Sequence, residues 1–487
     1  MIGRGVLGYL AVLAGGLVIS VVPESAWAAS LPPVSALRAD LVGRMLGLTV
    51  VVAGLGLAAA AWLRLVQYAA AEDGHGAGER LGLVRRATAA WSIPLLVAPP
   101  LFSRDGWSYA AQGEMTRLGL NPYVWTPSVL DGPIVEAVDP RWMDTPTPYG
   151  PLPLLWGAFA AQLTDDPWLL VIAHRVLALV GVALLLWAVP RLAGWAGRDR
   201  AAATAIAVPS PLVLGHGVAG VHNDLLMVGL VAAALVVATE RRGWVAGAVL
   251  AGLAAAVKLP GGLAGIGVAL LTLGVNVPVG QRIRRLVQVA AVATSVLWLV
   301  GVLGGVGSGW VHALGVPGEV RTPLSAVTQL GWLTGVLLTP AGASVEESVA
   351  VARLLGQVAA VAVLGRLALR TATGVPATAV RCVALGLLVV VVLGPVVHHW
   401  YLLWCVPLLA ACHLGRRASA ALLGAGALPG LVGPLDSSLA GAGTLITLGV
   451  SLTVAVGLWL ARLHHREGRP RRRAGVVETR PSESVRA

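Results

Sequence analysis

Apolar residues along this chain come in blocks of about 16 to 24, apolar on every face and separated by short polar stretches, which is the length and character of helices that cross a bilayer. The blocks predict helices at about 5–22, 45–66, 87–102, 168–190, 201–219, 223–239, 244–258, 260–277, 286–306, 349–370, 380–397, 400–415, 418–434 and 442–463. The stretch 323–340 is apolar but short and interrupted, and reads as a re-entrant or interfacial segment. A soluble helical-repeat protein would carry one apolar stripe per helix, so that class is set aside. The fold class expected is an all-α polytopic membrane protein with about 13–14 transmembrane helices.

Composition sharpens this picture. Of 487 residues, 57% are hydrophobic and 12% charged, about half the charge of a soluble chain. The arginines set an orientation. Arg80, Arg85 and Arg86, then Arg191, Arg198 and Arg200, Arg241 and Arg242, Arg282, Arg284 and Arg285, Arg366, Arg370 and Arg381, and Arg416 with Arg417 all fall on one side when the helices are counted alternately. That places both termini in the cytoplasm and the long segment 103–167 on the outer face of the plasma membrane. The same clusters account for the net charge of +12 without a nucleic-acid partner, because no aromatic residues interleave with them. One transmembrane domain is expected over 1–463, followed by a disordered basic tail over 464–487 that binds the anionic inner leaflet. Arg4, an apolar run and Ala26-Trp27-Ala28 also fit a signal peptide; a retained first helix is preferred, and the remaining topology is the same either way. Cys382, Cys405 and Cys412 sit inside apolar blocks, with no metal-binding spacing and no disulfide demanded.

The outer face collects the candidate chemistry. Segment 103–167 begins Ser103-Arg104-Asp105-Gly106-Trp107-Ser108-Tyr109 and continues into a stretch, Tyr109 to Leu120, that predicts a short helix along the membrane surface. Trp142-Met143-Asp144-Thr145-Pro146-Thr147-Pro148-Tyr149-Gly150-Pro151 reads as a rigid, ordered loop. Three more polar clusters reach the same face: His222-Asn223-Asp224, Lys258-Leu259-Pro260 and His398-His399-Trp400-Tyr401. Ionisable groups in membrane segments are costly and by default point to function. Lys258 is the only lysine of the chain, where arginine fills every other basic position. A compact ammonium on a flexible stem is therefore what this position requires. Plainer structural readings stand beside these: Asp105 pairing with Arg104 or capping a helix, Asp224 as an N-cap, Lys258 snorkelling, and the 398–401 group as an interfacial belt. Arg175, beside His174 in the fourth helix, is hard to place against lipid and is expected to face a cavity or an acid. Together, a carboxylate serves as general base toward a hydroxyl, while Lys258, the histidines, Arg175 and Arg321 stabilise a departing phosphate carried on a lipid.

At this point the residues become familiar. Ser103-Arg104-Asp105, Tyr109-Ala110-Ala111-Gln112-Gly113, Gly119-Leu120-Asn121-Pro122-Tyr123 and Thr145-Pro146-Thr147-Pro148-Tyr149-Gly150-Pro151 resemble the first outer loop and its continuation in the actinobacterial polyprenol-phosphomannose-dependent α-1,6-mannosyltransferases, the MptA/MptB group. His222-Asn223-Asp224, Lys258-Leu259-Pro260 and Trp400-Tyr401-Leu402-Leu403-Trp404 extend the resemblance, in order, to residue 404. The resemblance implies a GT-C glycosyltransferase fold, with Asp105 at the position of the catalytic acid of the outer loop. It implies a polyprenyl-phosphomannose donor, a lipid-linked α-1,6-mannan acceptor, and a place in lipomannan and lipoarabinomannan synthesis. Many relatives have two acidic residues in this loop; here the partner position is Arg104, which leaves Asp144 or Asp131 as the open choice for a second carboxylate.

The expected mechanism is inverting, with Asp105 taking the proton of the acceptor's 6-hydroxyl. Lys258, Arg321, His222, His398 and Arg175 are the donor-phosphate candidates. Asn223, Asp224, Tyr149, Trp107, Asp144, His399 and Tyr401 support the site or hold acceptor, with Tyr149 and Trp107 packing against sugar rings. No nucleotide is expected, and no cofactor is required. A divalent metal stays open, although one clear carboxylate is a poor site for it. The competing readings are a transferase using another lipid-linked sugar, such as arabinose, and a transporter or flippase. The transporter would show inverted repeats and polar groups near the midplane, whereas the polar groups here gather at one face.

Overall fold

The computed structural model describes residues 1–71, 76–101, 103–240, 243–316, 321–432 and 439. The helix expected at 442–463 and the basic tail lie outside the described residues. The principal helices are α1 (Ile2–Ile19), α2 (Leu41–Ala70), α3 (Ala77–Ser92), α4 (Asp105–Arg117), α5 (Pro151–Ala161), α6 (Pro167–Trp195), α7 (Arg200–Ala207) and α8 (Asp224–Glu240). They continue with α9 (Trp244–Val257), α10 (Ala264–Leu271), α11 (Val279–Leu303), α12 (Ala326–Leu338), α13 (Val345–Arg370), α14 (Pro376–Leu393), α15 (Val406–Ala410) and α16 (Arg416–Val432). Among the described residues, six of these (α1, α2, α6, α11, α13 and α14) are each long and apolar enough to cross a membrane. The chain is an all-α, multi-pass membrane protein.

Several blocks that read as single straight spans are broken. The block at 201–219 is α7 and a π-helical turn, Leu212–Ala219, bent by 49°. Pro209 and Pro211 lie between them, and proline both removes a donor and clashes with the preceding turn. The block at 260–277 opens with a 3₁₀ turn, Leu259–Leu263, before α10, because Pro260 stops α9 from running on. The block at 400–415 is a 3₁₀ turn, His399–Trp404, followed by α15. Apolar length alone does not reveal such breaks, and each of them holds or leads into one of the polar clusters 222–224, 258–260 and 398–401. The interrupted stretch at 323–340 contains the 13-residue α12, packed on α13 at Gly331 and Gly335.

Packing follows small residues, as expected where lipid offers no hydrophobic drive between helices. α1 and α2 run antiparallel with Gly8 facing Gly54 and Gly15 facing Gly47, one stripe with a spacing of seven on each helix. A Cβ on Gly8 would lie 2.7 Å from the Gly54 carbonyl oxygen. This backbone-to-backbone contact joins α1 to α2 over its length. α8 sits at the centre, buried from Asp224 to Val236 except Leu230, between α6 and α9. α13 instead leaves Val351, Leu354, Leu355, Val358 and Val361 exposed, the surface of a helix that faces lipid.

Segment 103–167 is shaped by its prolines. Pro133, Pro140, Pro151 and Pro167 each occupy the first position of a helix, where the missing N–H costs nothing. α4 differs from the expected surface helix in two ways. It begins at Asp105, because the Ser103 hydroxyl accepts the Asp105 amide (3.0 Å) and an acidic first residue suits the helix dipole. It is also buried within the protein: a Cβ on Gly113 would lie 2.7 Å from the Gly157 backbone of α5, and residues 105–113 are covered.

Arg175 proves to be part of this framework. Its buried guanidinium donates to the carbonyls of Leu96 (2.6 Å), Ala98 (2.7 Å) and Val218 (3.1 Å). Neither an acid nor an open cavity holds it, contrary to expectation. It instead satisfies carbonyls of two irregular stretches, 93–101 and 212–223, that precede Asp105 and deliver His222. Within a bilayer, irregular backbone is tolerated only where such partners exist. Arg175→Met is expected to lower stability by about 3 kcal/mol, since the orphaned carbonyls keep their desolvation cost; thermal unfolding in detergent measures it.

Candidate active site

The first residue of α4, the loop before α5, the turn before α8, the α9–α10 break and the 398–404 segment meet around Asp105. Only 5% of Asp105 is exposed. Its Oδ2 accepts from the Tyr149 hydroxyl (3.0 Å) and, more weakly, from that of Tyr109 (3.4 Å). Tyr109 also donates to the Tyr149 oxygen (2.7 Å), so the two phenols and the carboxylate close a triangle. Burial pushes the Asp105 carboxyl above its ordinary range, against the opposing pull of His398, the Ser103 hydroxyl, Lys258 and Tyr149. A carboxylate raised in this way is, in its ionised form, a stronger proton acceptor than an ordinary one.

Lys258 sits where α9 ends, and its Nζ donates to Asp224 Oδ1 at 2.8 Å. Asp224 is the first residue of α8, is 0% exposed, and also accepts from Trp404 Nε1. The pair joins the positive end of one helix dipole to the negative end of the other, so each charge is favoured where it stands. The ammonium also lies over the rings of Tyr401 (4.5 Å), Tyr149 (4.8 Å) and Trp404 (5.2 Å), a cation–π cage. Tyr149 therefore touches both charges, with its hydroxyl on Asp105 and its ring against Lys258.

The third component is a stack. Trp400 lies between the imidazoles of His222 (4.1 Å between ring centres) and His398 (4.3 Å). His222 Nδ1 is thereby held 3.6 Å from Asp105 Oδ2. The turn that presents it is strained: Val221, a β-branched residue, sits at φ +60°. His222 and Asn223 are fully buried, and neither makes a hydrogen bond through its side chain. Among the described residues, no three His, Cys, Asp or Glu side chains are grouped to hold a metal ion.

The structure thus brings together Asp105, Tyr149, Lys258, Asp224, His222, Asn223, His398 and Tyr401. Others lie apart. Arg321 is exposed and pairs with Glu346 (3.4 Å). Trp107 is buried, donates to the Val21 carbonyl (3.2 Å) and packs edge-on against Trp168; it builds the loop's core and does not line a sugar mouth. His399 stacks on His216. Asp144 and Asp131 are exposed. Tyr109, Ser103 and Trp404 were not singled out by sequence. Tyr109, four residues after Asp105, is on the same helix face, and that spacing was the available signal.

Two buried carboxylates, Asp105 and Asp224, around one caged ammonium in a multi-pass helical protein suit, in class, a membrane enzyme of group transfer. Comparison narrows the class. A family model described as alpha-(1->6)-mannopyranosyltransferase, N-terminal domain, matches residues 2–274, and one described as MptB C-terminal domain matches 324–463. A probable alpha-(1->6)-mannopyranosyltransferase of Mycolicibacterium smegmatis is 31% identical over 80% of this chain and 74% of its own. Alpha-(1->6)-mannopyranosyltransferase B of Corynebacterium glutamicum is 30% identical over 85% and 74%. Alpha-(1->6)-mannopyranosyltransferase A of Mycobacterium tuberculosis is 33% identical over 76% and 72%. No solved structure matches the chain. The chain belongs to the alpha-(1->6)-mannopyranosyltransferase family and is a mannosyltransferase.

The site has a pH signature. A base with a raised pKa loses activity as pH falls, at a midpoint above that of an ordinary carboxylate. Tyr149→Phe removes a hydrogen bond that favours the charged form. It should therefore move the acid limb of kcat/KM to still higher pH, as initial rates across a pH series would record.

Proposed function

We propose that the protein moves mannose from a polyprenyl-phosphate carrier to the 6-hydroxyl of an α-1,6-mannan acceptor, at the outer face of the plasma membrane, in lipomannan and lipoarabinomannan synthesis. The observation that carries this reading is the position of Lys258. On one side, through Tyr149, it adjoins Asp105. On the other it lines an apolar groove of about 250 Å³, walled by Leu259, Pro260, Leu314, Val390 and Val396. An ammonium at the edge of an apolar groove suits a phosphate whose isoprenoid tail lies in the groove and continues into the bilayer. The arginine-rich loops favour the opposite face as cytoplasmic, which puts both termini inside.

In the reaction, the acceptor oxygen attacks the anomeric carbon as Asp105 takes its proton. The bond from that carbon to the phosphate oxygen breaks, and the phosphate leaves with the electron pair. Lys258 has three N–H donors, so it can hold the phosphate while one donor stays on Asp224. His222 and His398 flank Asp105 with polar edges, and no general acid is needed because phosphate is a stable leaving group. A single attack inverts the anomeric centre, giving an α-linkage from a β-linked donor.

The test uses membranes carrying the protein, radiolabelled polyprenyl-phosphomannose and a short α-1,6-mannoside. Wild type should transfer mannose, and Asp105→Asn should lose about a hundredfold or more. Transfer that survives the substitution would contradict the assignment of the base. Transfer of another lipid-linked sugar in place of mannose would contradict the donor.

A further inference from the structure

Tyr149 separates two openings. The one on the Lys258 side is the apolar groove. The other lies over Asp105 and is lined by Ser108, Tyr109, Gln112, Trp142, Thr145 and Pro146, together with Pro148 and Tyr149. Its volume is about 20 Å³. Such a space admits roughly one water-sized group. Asp105, Ser108, Tyr109 and Gln112 are spaced i, i+3, i+4 and i+7 on α4, so one face of that helix forms the floor. The opposite wall is the proline-rich loop, rigid by its prolines. Ser108 is 3% exposed, and its hydroxyl has no hydrogen-bond partner, although it belongs to this lining.

We infer that this pocket is an acceptor subsite built for an exocyclic hydroxymethyl group, with Trp142 as the platform for the sugar ring that carries it. The inference rests on the mannosyl-transfer reading above and adds the residues that choose the attacking hydroxyl. The carboxylate in the floor turns away an anion and welcomes a hydroxyl proton. Ser108 supplies the second partner for the same oxygen, and the Thr145 hydroxyl stands at the wall. A secondary hydroxyl, flanked by ring carbons, does not fit so narrow a space. A primary hydroxyl on a one-carbon arm does, while its ring stays outside. Trp142 is half-buried at this opening, with the flat apolar face that sugar rings stack on. Selection of the 6-position then follows from the width of the pocket and needs no hydrogen bond to the rest of the ring.

The decisive variant is Trp142→Ala, which widens the opening, with Trp142→Phe as the conservative control. Two measurements are made on wild type and variants in nanodiscs: steady-state transfer to an α-1,6-mannobioside with linkage analysis of the product, and titration of that mannobioside by calorimetry. Trp142→Ala should raise acceptor KM at least tenfold, leave donor KM within twofold, and yield linkages other than 1→6. Trp142→Phe should restore most of the acceptor affinity, and Ser108→Ala should lower kcat/KM for acceptor about tenfold. A 6-deoxy mannobioside should not accept with wild type. If transfer proceeds but Trp142→Ala matches wild type in acceptor KM and in linkage, the inference is overturned and the reading of the reaction stands. If no mannose is transferred yet mannobioside binding still weakens tenfold in Trp142→Ala, the reading of the donor fails and the subsite stands.

Discussion

The buried ion pair between Lys258 and Asp224 is the interaction on which the site depends. A charge left here without ionic or hydrogen-bonding partners would be costly, and removing one partner of such a pair typically costs about 3–5 kcal/mol. Paired, the two charges fasten the end of α9 to the start of α8, where each meets a favourable helix dipole. The rest is arranged from that point. Trp404 binds the same carboxylate, Tyr401 and Tyr149 close over the ammonium, and Tyr149 in turn holds Asp105. One arrangement of charges thus sets the distance between the Asp105 carboxylate and the Lys258 ammonium.

The cost of this design is irregular backbone within a membrane protein. Asp105, His222, Lys258 and His398 all stand at breaks in apolar blocks, where carbonyls lose their helical partners. Arg175 satisfies the carbonyls at two of these breaks. Elsewhere Arg282 does the same for the last turn of α13, donating to the carbonyls of Leu369 and Thr371. Arginine serves here because its planar fork can reach several oxygens while remaining charged. The function of the breaks, and the stability of the breaks, are assigned to different residues.

Much of this was legible in the sequence. The all-α multi-pass class followed from the block lengths. Lys258 and His222 stand out as polar residues interrupting apolar sequence, Asp105 and Tyr149 through the motifs of segment 103–167, and the structure draws the four together. What could not be read was three-dimensional in origin. Nothing in the pattern distinguishes a buried Arg175 serving carbonyls from one serving a phosphate. Trp400 and Tyr401 look like an interfacial belt until the 3₁₀ turn rotates them inward, one between two imidazoles and the other over Lys258. Trp107 looks like a sugar platform until its indole is found against Trp168. α4 starts at Asp105 and not at Tyr109 because the Ser103 hydroxyl accepts the Asp105 amide, a local bond that the apolar pattern does not show.

The central claim is that Lys258 receives the phosphate of a lipid carrier at the mouth of the apolar groove. It is tested most directly by binding of a polyprenyl phosphate without its sugar to wild type and to Lys258→Met, both in nanodiscs. The account predicts an affinity at least tenfold weaker in the variant, with binding to wild type weakened in turn by high salt. Equal affinity in the two proteins would contradict it and would send the search for the phosphate site elsewhere in the molecule.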